Sequence, residues 1–230
     1  MDRPVTDITG ISIQVSLSGY SFKVYSGAET VRVSPWLGAE RLFTTPEFQR
    51  RYDSVAISLL TPKVTLVPDS FLEPARTRAA LAEVVRLREN DFVESVPVPS
   101  IGATLVFSNT LDESLSKVMA QTVLPTSGEP VRVLPEMYYL LQELEGIGEY
   151  NKIVAAWHAG YLHLVIAQGR TLCLANVFEA PDFTTAEYFL FLALKRLQLN
   201  PEVTTVHFRT PLNPEDEMSL YRYFKAVVQL

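Results

Sequence analysis

The sequence predicts an α/β fold made of two halves with the same internal order, and three observations carry that prediction. A strand, glycine turn, strand pattern occurs twice, over Ile11 to Tyr25 and over Ile153 to Ile166, with Gly19-Tyr20 falling on Gly160-Tyr161. Beyond each hairpin, runs rich in β-branched residues alternate with runs of helical spacing. The chain has 230 residues, 47% of them apolar, enough to fill a sizeable core. Its 15 prolines and 10 glycines lie scattered between the apolar runs, so no segment reads as a long linker.

In chain order, Glu29 to Val33 extends the first hairpin as a third strand. Thr45-Pro46-Glu47 opens a short helix, with threonine at the cap and proline at the first helical position. Val55 to Leu60 and Lys63 to Val67 flank Thr61-Pro62 and read as two adjacent strands. Leu81, Val84, Val85 and Arg88 recur at helical spacing, which predicts a one-sided surface helix over 76–89. Strands are predicted over 92–98, 104–107 and 131–134. A helix capped near Asp112 is predicted over 112–121, and another over 136–145.

The second half repeats the order. Ile153 to His158, Tyr161 to Ile166 and Thr171 to Phe178 are three strands joined by tight turns. Thr185 to Leu199 is apolar nearly all round, which predicts a helix buried between layers. Asn200-Pro201 ends it, Val203 to Phe208 is a strand, and Glu215 to Val227 is read as a closing helix. The halves are therefore 1–150, with an inserted segment at about 92–150, and 151–230.

A net charge of −6 and a pI near 5.2 argue against general affinity for phosphate backbones, so nucleic acid is not expected as a partner. Arg41, Arg50, Arg51, Arg76, Arg78, Arg86 and Arg88 read as solvated. A single cysteine, Cys173, cannot close an intramolecular disulfide; it lies in an alternating run where a small buried side chain fits and suits a reducing cytoplasm. Met1 to Asp7 has no signal-peptide core, and no apolar run reaches membrane-spanning length. A cytoplasmic protein without an integral membrane segment is expected.

Three antiparallel strands followed by helix, strand and helix resemble the ribonuclease H-like unit. Two such units make the actin-like ATPase (ASKHA) architecture, with mixed sheets and flanking helices. The segments Ser12–Phe22, Lys63–Phe71 and Ala186–Leu194 resemble an uncharacterised bacterial family of the Bacteroidetes type, DUF3822, with that fold. The resemblance runs over most of the chain and implies fold alone, since the family has no established activity.

ATP-binding members of the wider superfamily place an aspartate at the end of the first strand of each half, beside glycines whose N–H groups hold phosphate. Carboxylates there organise hydrated magnesium, and a later glycine pair makes room for adenosine. Here the first turn reads Ser16-Leu17-Ser18-Gly19 and the second Trp157-His158-Ala159-Gly160, neither with a carboxylate. Trp157 is bulky enough to fill a phosphate site. After Val203 to Phe208 the chain reads Arg209-Thr-Pro-Leu-Asn-Pro214 in place of the glycine pair.

Without those carboxylates the charge stabilisation of phosphoryl transfer has no visible source, so ATP hydrolysis is not expected and no cofactor is assigned. Ser16, Ser18, Gly19, His158 and Gly160 are the degenerate phosphate-loop positions at which an anion would sit if binding survived. Among the histidines, His158 and His163 come near one another across a hairpin, but a metal site needs three or four convergent ligands. No catalytic or metal residues are assigned.

Trp36, Trp157, Tyr138, Tyr139, Tyr161, Tyr221 and Tyr223 read mainly as core. Met218, Leu220, Tyr221 and Phe224 give the last helix an apolar stripe that would be a docking candidate if exposed. The leading expectation is a non-catalytic scaffold that binds another protein, a second copy of the chain included. The alternative is a divergent ATP-binding component of a pilus, secretion or similar assembly machine.

Overall fold

The computed structural model describes residues 9–16, 18–110 and 115–230, without the side chains of Ser116 and Lys117. The N-terminal reading of Met1 to Asp7 and the proposed cap near Asp112 lie outside the described residues. β1 (Gly10–Ser16) and β2 (Gly19–Ser26) form the first hairpin, with Ile13 opposite Phe22, and β3 (Glu29–Val33) pairs antiparallel with β2. Two stretches of 3-10 helix follow, Ala39–Thr44 and Pro46–Gln49. Pro46 takes the first helical position as predicted, but the Thr45 hydroxyl donates back to the Arg41 carbonyl at 2.9 Å and caps nothing.

β4 (Ser54–Leu59) runs parallel to β1. β5 (Val64–Pro68) does not pair with it, contrary to the sequence expectation; the turn at Thr61-Pro62, closed by Lys63 N–H to Thr61 Oγ1 at 3.2 Å, sends the chain into another sheet. α1 (Thr77–Ala82) is far shorter than the periodicity implied. Arg78 donates to the carbonyls of Arg88 and Asp91, and the Asp91 carboxylate takes the Arg88 N–H at 2.6 Å, which holds the following residues as a loop. β6 (Val93–Val98) and β7 (Ala103–Ser108) then form a hairpin, and β5 pairs with the far side of β7.

α2 (Leu115–Thr122), β8 (Val133–Pro135) and α3 (Glu136–Gly146) follow. β9 (Asn151–His158), β10 (Tyr161–Gln168) and β11 (Thr171–Glu179) make the second meander. α4 (Phe183–Arg196) is capped by Asp182, whose carboxylate accepts the Thr185 N–H at 2.7 Å. β12 (Thr205–Phe208), α5 (Pro214–Tyr221) and β13 (Ala226–Gln229) complete the chain. The predicted closing helix therefore stops at Tyr221 and its last two residues are strand: Lys225 N–H bonds to the Pro201 and Thr204 carbonyls, and Val227-Val228 join β12 in a parallel ladder.

The two large sheets have the orders β3-β2-β1-β4-β8 and β11-β10-β9-β12-β13, and a third has the order β5-β7-β6. In both five-stranded sheets the meander lies to one side and a parallel strand flanks the first strand of the hairpin, β4 beside β1 and β12 beside β9. This is the mixed-sheet unit that the hairpin signature predicts, occurring twice.

By packing, the described residues fall into two units, 9–59 with 115–134, and 60–110 with 135–230. In the first, Ile11, Ile13, Phe22, Ile57 and Leu59 form a buried core with Phe48 and with Met119 of α2. In the second, strand alternation divides the sheet into two covered faces. Ile153, Ala155, Leu162, Leu164, Val206 and Phe208 pack under α4 and α5. Val154, Ala156, Val165 and Ala167 lie on the opposite face, beneath α3. Each fully buried leucine of these layers contributes about 1.5–3 kcal/mol.

α4 is not buried all round, because Tyr188 is 61% exposed. Cys173 is only half-buried, at a bulge where the β10–β11 register shifts. Among the described residues no helix is long and apolar enough to cross a membrane.

Candidate functional site

In the first hairpin turn the Ser16 hydroxyl is engaged locally. Ser16 Oγ lies 3.0 Å from Ser18 Oγ, donates to the Gly19 carbonyl at 3.3 Å, and accepts the Ser18 N–H at 3.3 Å. Ser16, Ser18 and Gly19 are thus brought together in one turn, with Ser16 buried and Ser18 exposed. Gly19 has φ +145°, and a Cβ there would stand 2.0 Å from the Leu37 carbonyl oxygen. The glycine is required because backbone covers it: Tyr20 and Leu37 exchange both main-chain hydrogen bonds, at 2.9 and 2.7 Å.

At the second turn Ala159 and Gly160 both take positive φ, 51° and 84°, the mirror-image geometry that suits a two-residue hairpin. The Gly160 carbonyl accepts the Ala180 N–H at 2.7 Å. Burial pushes the His158 imidazole down to about 4, so it is neutral at physiological pH. Trp157 turns to the α4 face, stacks edge-on against Phe183 at 5.3 Å, and donates its indole N–H to the Ala180 carbonyl at 2.9 Å.

The segment after β12 is held from three sides. Thr210, fully buried, accepts the Trp157 N–H on its hydroxyl at 2.9 Å. Gln229 Nε2 donates to the carbonyls of Phe208 and Thr210, both at 2.8 Å, while its Oε1 accepts the Leu212 N–H at 3.0 Å. Asn213 caps α5 by accepting the Asp216 N–H. The loop is thereby tied to the hairpin strand at one end and to the last strand at the other.

Beneath α3 lies a polar network that sequence reasoning missed. Glu136, fully buried at the start of α3, accepts a hydrogen bond from Arg209 Nη1 at 2.8 Å. Arg209 also approaches Glu143 Oε1 at 3.3 Å and stacks over the Tyr139 ring at 5.0 Å. His163 sits on the same sheet face, fully buried, and among the described residues neither ring nitrogen has a hydrogen-bond partner. Burial drives its pKa down to about 4 against the opposing pull of Glu136. In sequence, Glu136 reads as an ordinary acid in a first helical turn and Arg209 as loop, so the only available signal was a charge at each end of apolar runs.

His158 and His163 share a sheet face two rows apart, because Tyr161 pairs with His158 and His163 with Ala156. Among the described residues no three His, Cys, Asp or Glu side chains gather as metal ligands. The stripe on the last helix is divided: Leu220 and Phe224 are buried, whereas Met218 and Tyr221 are exposed.

A family model described as "Protein of unknown function (DUF3822)" matches residues 9–227. A solved structure from Bacteroides thetaiotaomicron, described as a protein with actin-like ATPase fold and unknown function, is 17% identical, with a TM-score of 0.69, over 100% of this chain and 93% of the other. The cytoplasmic domain of EpsL, an inner membrane component of the type II secretion system of Vibrio cholerae, is 16% identical with a TM-score of 0.51, over 89% and 83%. The PilM-PilN type IV pilus biogenesis complex gives 12% identity and a TM-score of 0.50, over 97% and 88%. These likenesses show an actin-like fold. No curated protein matches the chain.

Proposed function

We propose that this chain, which belongs to the DUF3822 family of proteins of unknown function, acts as a non-catalytic cytoplasmic scaffold that binds another protein through an actin-like fold. The observation that carries this reading is the loop after β12, tied by Thr210 to Trp157 and by Gln229 to the carbonyls of Phe208, at the end of β12, and Thr210. In nucleotide-binding relatives that position is an open glycine turn. The Ser16 hydroxyl is spent inside its own turn, which leaves the first hairpin one fewer group to offer an anion. The division into halves at about residue 150 is part of the proposal and concerns ancestry; the packing units cut the chain elsewhere.

The second reading, a divergent ATP-binding component of an assembly machine, is favoured by the likeness to the EpsL domain and the PilM-PilN complex. Under it, Ser16, Ser18, Gly19, His158 and Gly160 hold the phosphates. Thermal melting with and without Mg-ATP separates the two. A nucleotide present at a hundred times its Kd would add about 2.7 kcal/mol and several degrees to the transition. The scaffold reading expects no shift and no phosphate release. A magnesium-dependent rise that Ser18→Ala abolishes would overturn it in favour of the second.

A further inference from the structure

We infer that the outer edge formed by β11 and α4 is a homodimer surface, on which a second copy of this chain pairs its own β11 antiparallel across a two-fold axis. β11 is the outermost strand of its sheet; β5 comes alongside but shares no ladder with it. Long edge strands are normally blunted by lysine, proline or a covering element, because their unpaired N–H and C=O groups recruit other chains. From Thr171 to Phe178 this strand carries neither charge nor proline.

The regular part of the strand starts after the bulge at Cys173. There Leu174, Asn176 and Phe178 pair with Ile166, Leu164 and Leu162, and so face α4. They border an apolar groove of about 210 Å³ lined by Leu174, Phe178, Phe189, Leu192 and Leu197, in which Phe178 stacks on Phe189 at 4.9 Å. Antiparallel pairing centred on Asn176 places Leu174 of one copy opposite Phe178 of the other, and Ala175 opposite Val177. The two Asn176 amides meet on the axis. Apolar pairs of this kind are the unit of sheet stabilisation.

Charge selects this occupant and this direction. Arg170, Lys195 and Arg196 are exposed at one end of the edge, and Glu179 and Asp182 at the other. α4 runs back along β11, so its basic C-terminal end lies beside the start of the strand and its acidic N-terminal end beside the finish. Two-fold antiparallel pairing brings the basic end of each copy against the acidic end of its mate. Parallel pairing would set like against like.

Sedimentation of the wild-type chain over a micromolar concentration series is expected to show a monomer–dimer equilibrium. Asn176→Lys, at an exposed site, sets two ammonium groups together on the axis and weakens the dimer at least about tenfold. Arg196→Glu weakens it as well, and combining it with Glu179→Arg restores it, which a misfolded variant cannot do. In a Cys173→Ser background, Asn176→Cys is expected to give a disulfide-linked dimer on mild oxidation, and Glu215→Cys on α5 to give none. A chain monomeric throughout the series overturns the proposal. So does a dimer that is indifferent to Asn176→Lys and fails to crosslink at 176. The outcome is independent of nucleotide binding at the hairpins.

Discussion

Arg209 Nη1 stands 2.8 Å from Oε1 of Glu136, joining the residue after β12 to the first residue of α3, 73 positions earlier. The carboxylate is fully buried and the guanidinium side chain only 9% exposed, so the pair operates in a low-dielectric layer between helix and sheet. Removing one partner there leaves a charge that water cannot reach. Arg209→Met is expected to destabilise the chain by about 3–5 kcal/mol, with Glu136→Gln costing less because Arg209 keeps the Glu143 carboxylate at 3.3 Å. Urea denaturation of both single variants and the double checks this; additive losses would show that the pair is not coupled.

His163 makes stability depend on pH in a defined direction. Its imidazole titrates at about 4 in the folded chain against 6.5 for the ordinary group, so the unfolded chain binds the proton first. Stability from this residue is complete above about pH 6.5 and is lost as pH falls towards 4, by on the order of 3 kcal/mol. His163→Leu should flatten that part of the curve. The same change removes two buried ring nitrogens that lack hydrogen-bond partners among the described residues, and should raise stability at pH 7 by about 1 kcal/mol. Denaturant midpoints at pH 7, 6 and 5 give both effects, and a parallel decline in wild type and variant would refute the assignment.

Gly19 and Gly27 separate crowding from conformation. Both have positive φ, +145° and +59°, but a Cβ on Gly19 would strike the Leu37 carbonyl at 2.0 Å, whereas one on Gly27 meets nothing within 4 Å. Gly27→Ala is expected to cost about 1–2 kcal/mol from backbone conformation alone. Gly19→Ala should cost about 2–4 kcal/mol, because the Tyr20–Leu37 bridge must move as well. Thermal unfolding of the two variants gives the comparison.

Much of the chain could be read locally. The alternation of Ile11, Ile13 and Val15, and of Leu162, Leu164 and Ile166, assigns each strand a buried face. Proline and glycine marked most turns correctly. The readings that failed share a cause. Arg76 to Glu89 has a helical period, yet α1 stops at Ala82, because Arg78 and Asp91 bond the backbone beyond it. Glu215 to Val227 likewise begins as a helix and ends as a strand, drawn into a ladder with β12. At the degenerate phosphate turns the missing carboxylates were legible, but Leu37 covering Gly19 and Gln229 holding the loop after β12 were not.

By itself the sequence determined the repeated hairpin, the faces of its strands and the absence of carboxylates at both turns, because each is a property of neighbours along the chain. Only the tertiary structure decided that β5 leaves the sheet of β4, that Val227 and Val228 extend a sheet, and that Glu136 finds Arg209 under α3. Those outcomes depend on which distant group completes a hydrogen bond or compensates a buried charge. Periodicity records which face of an element is buried, and carries no record of the partner that buries it.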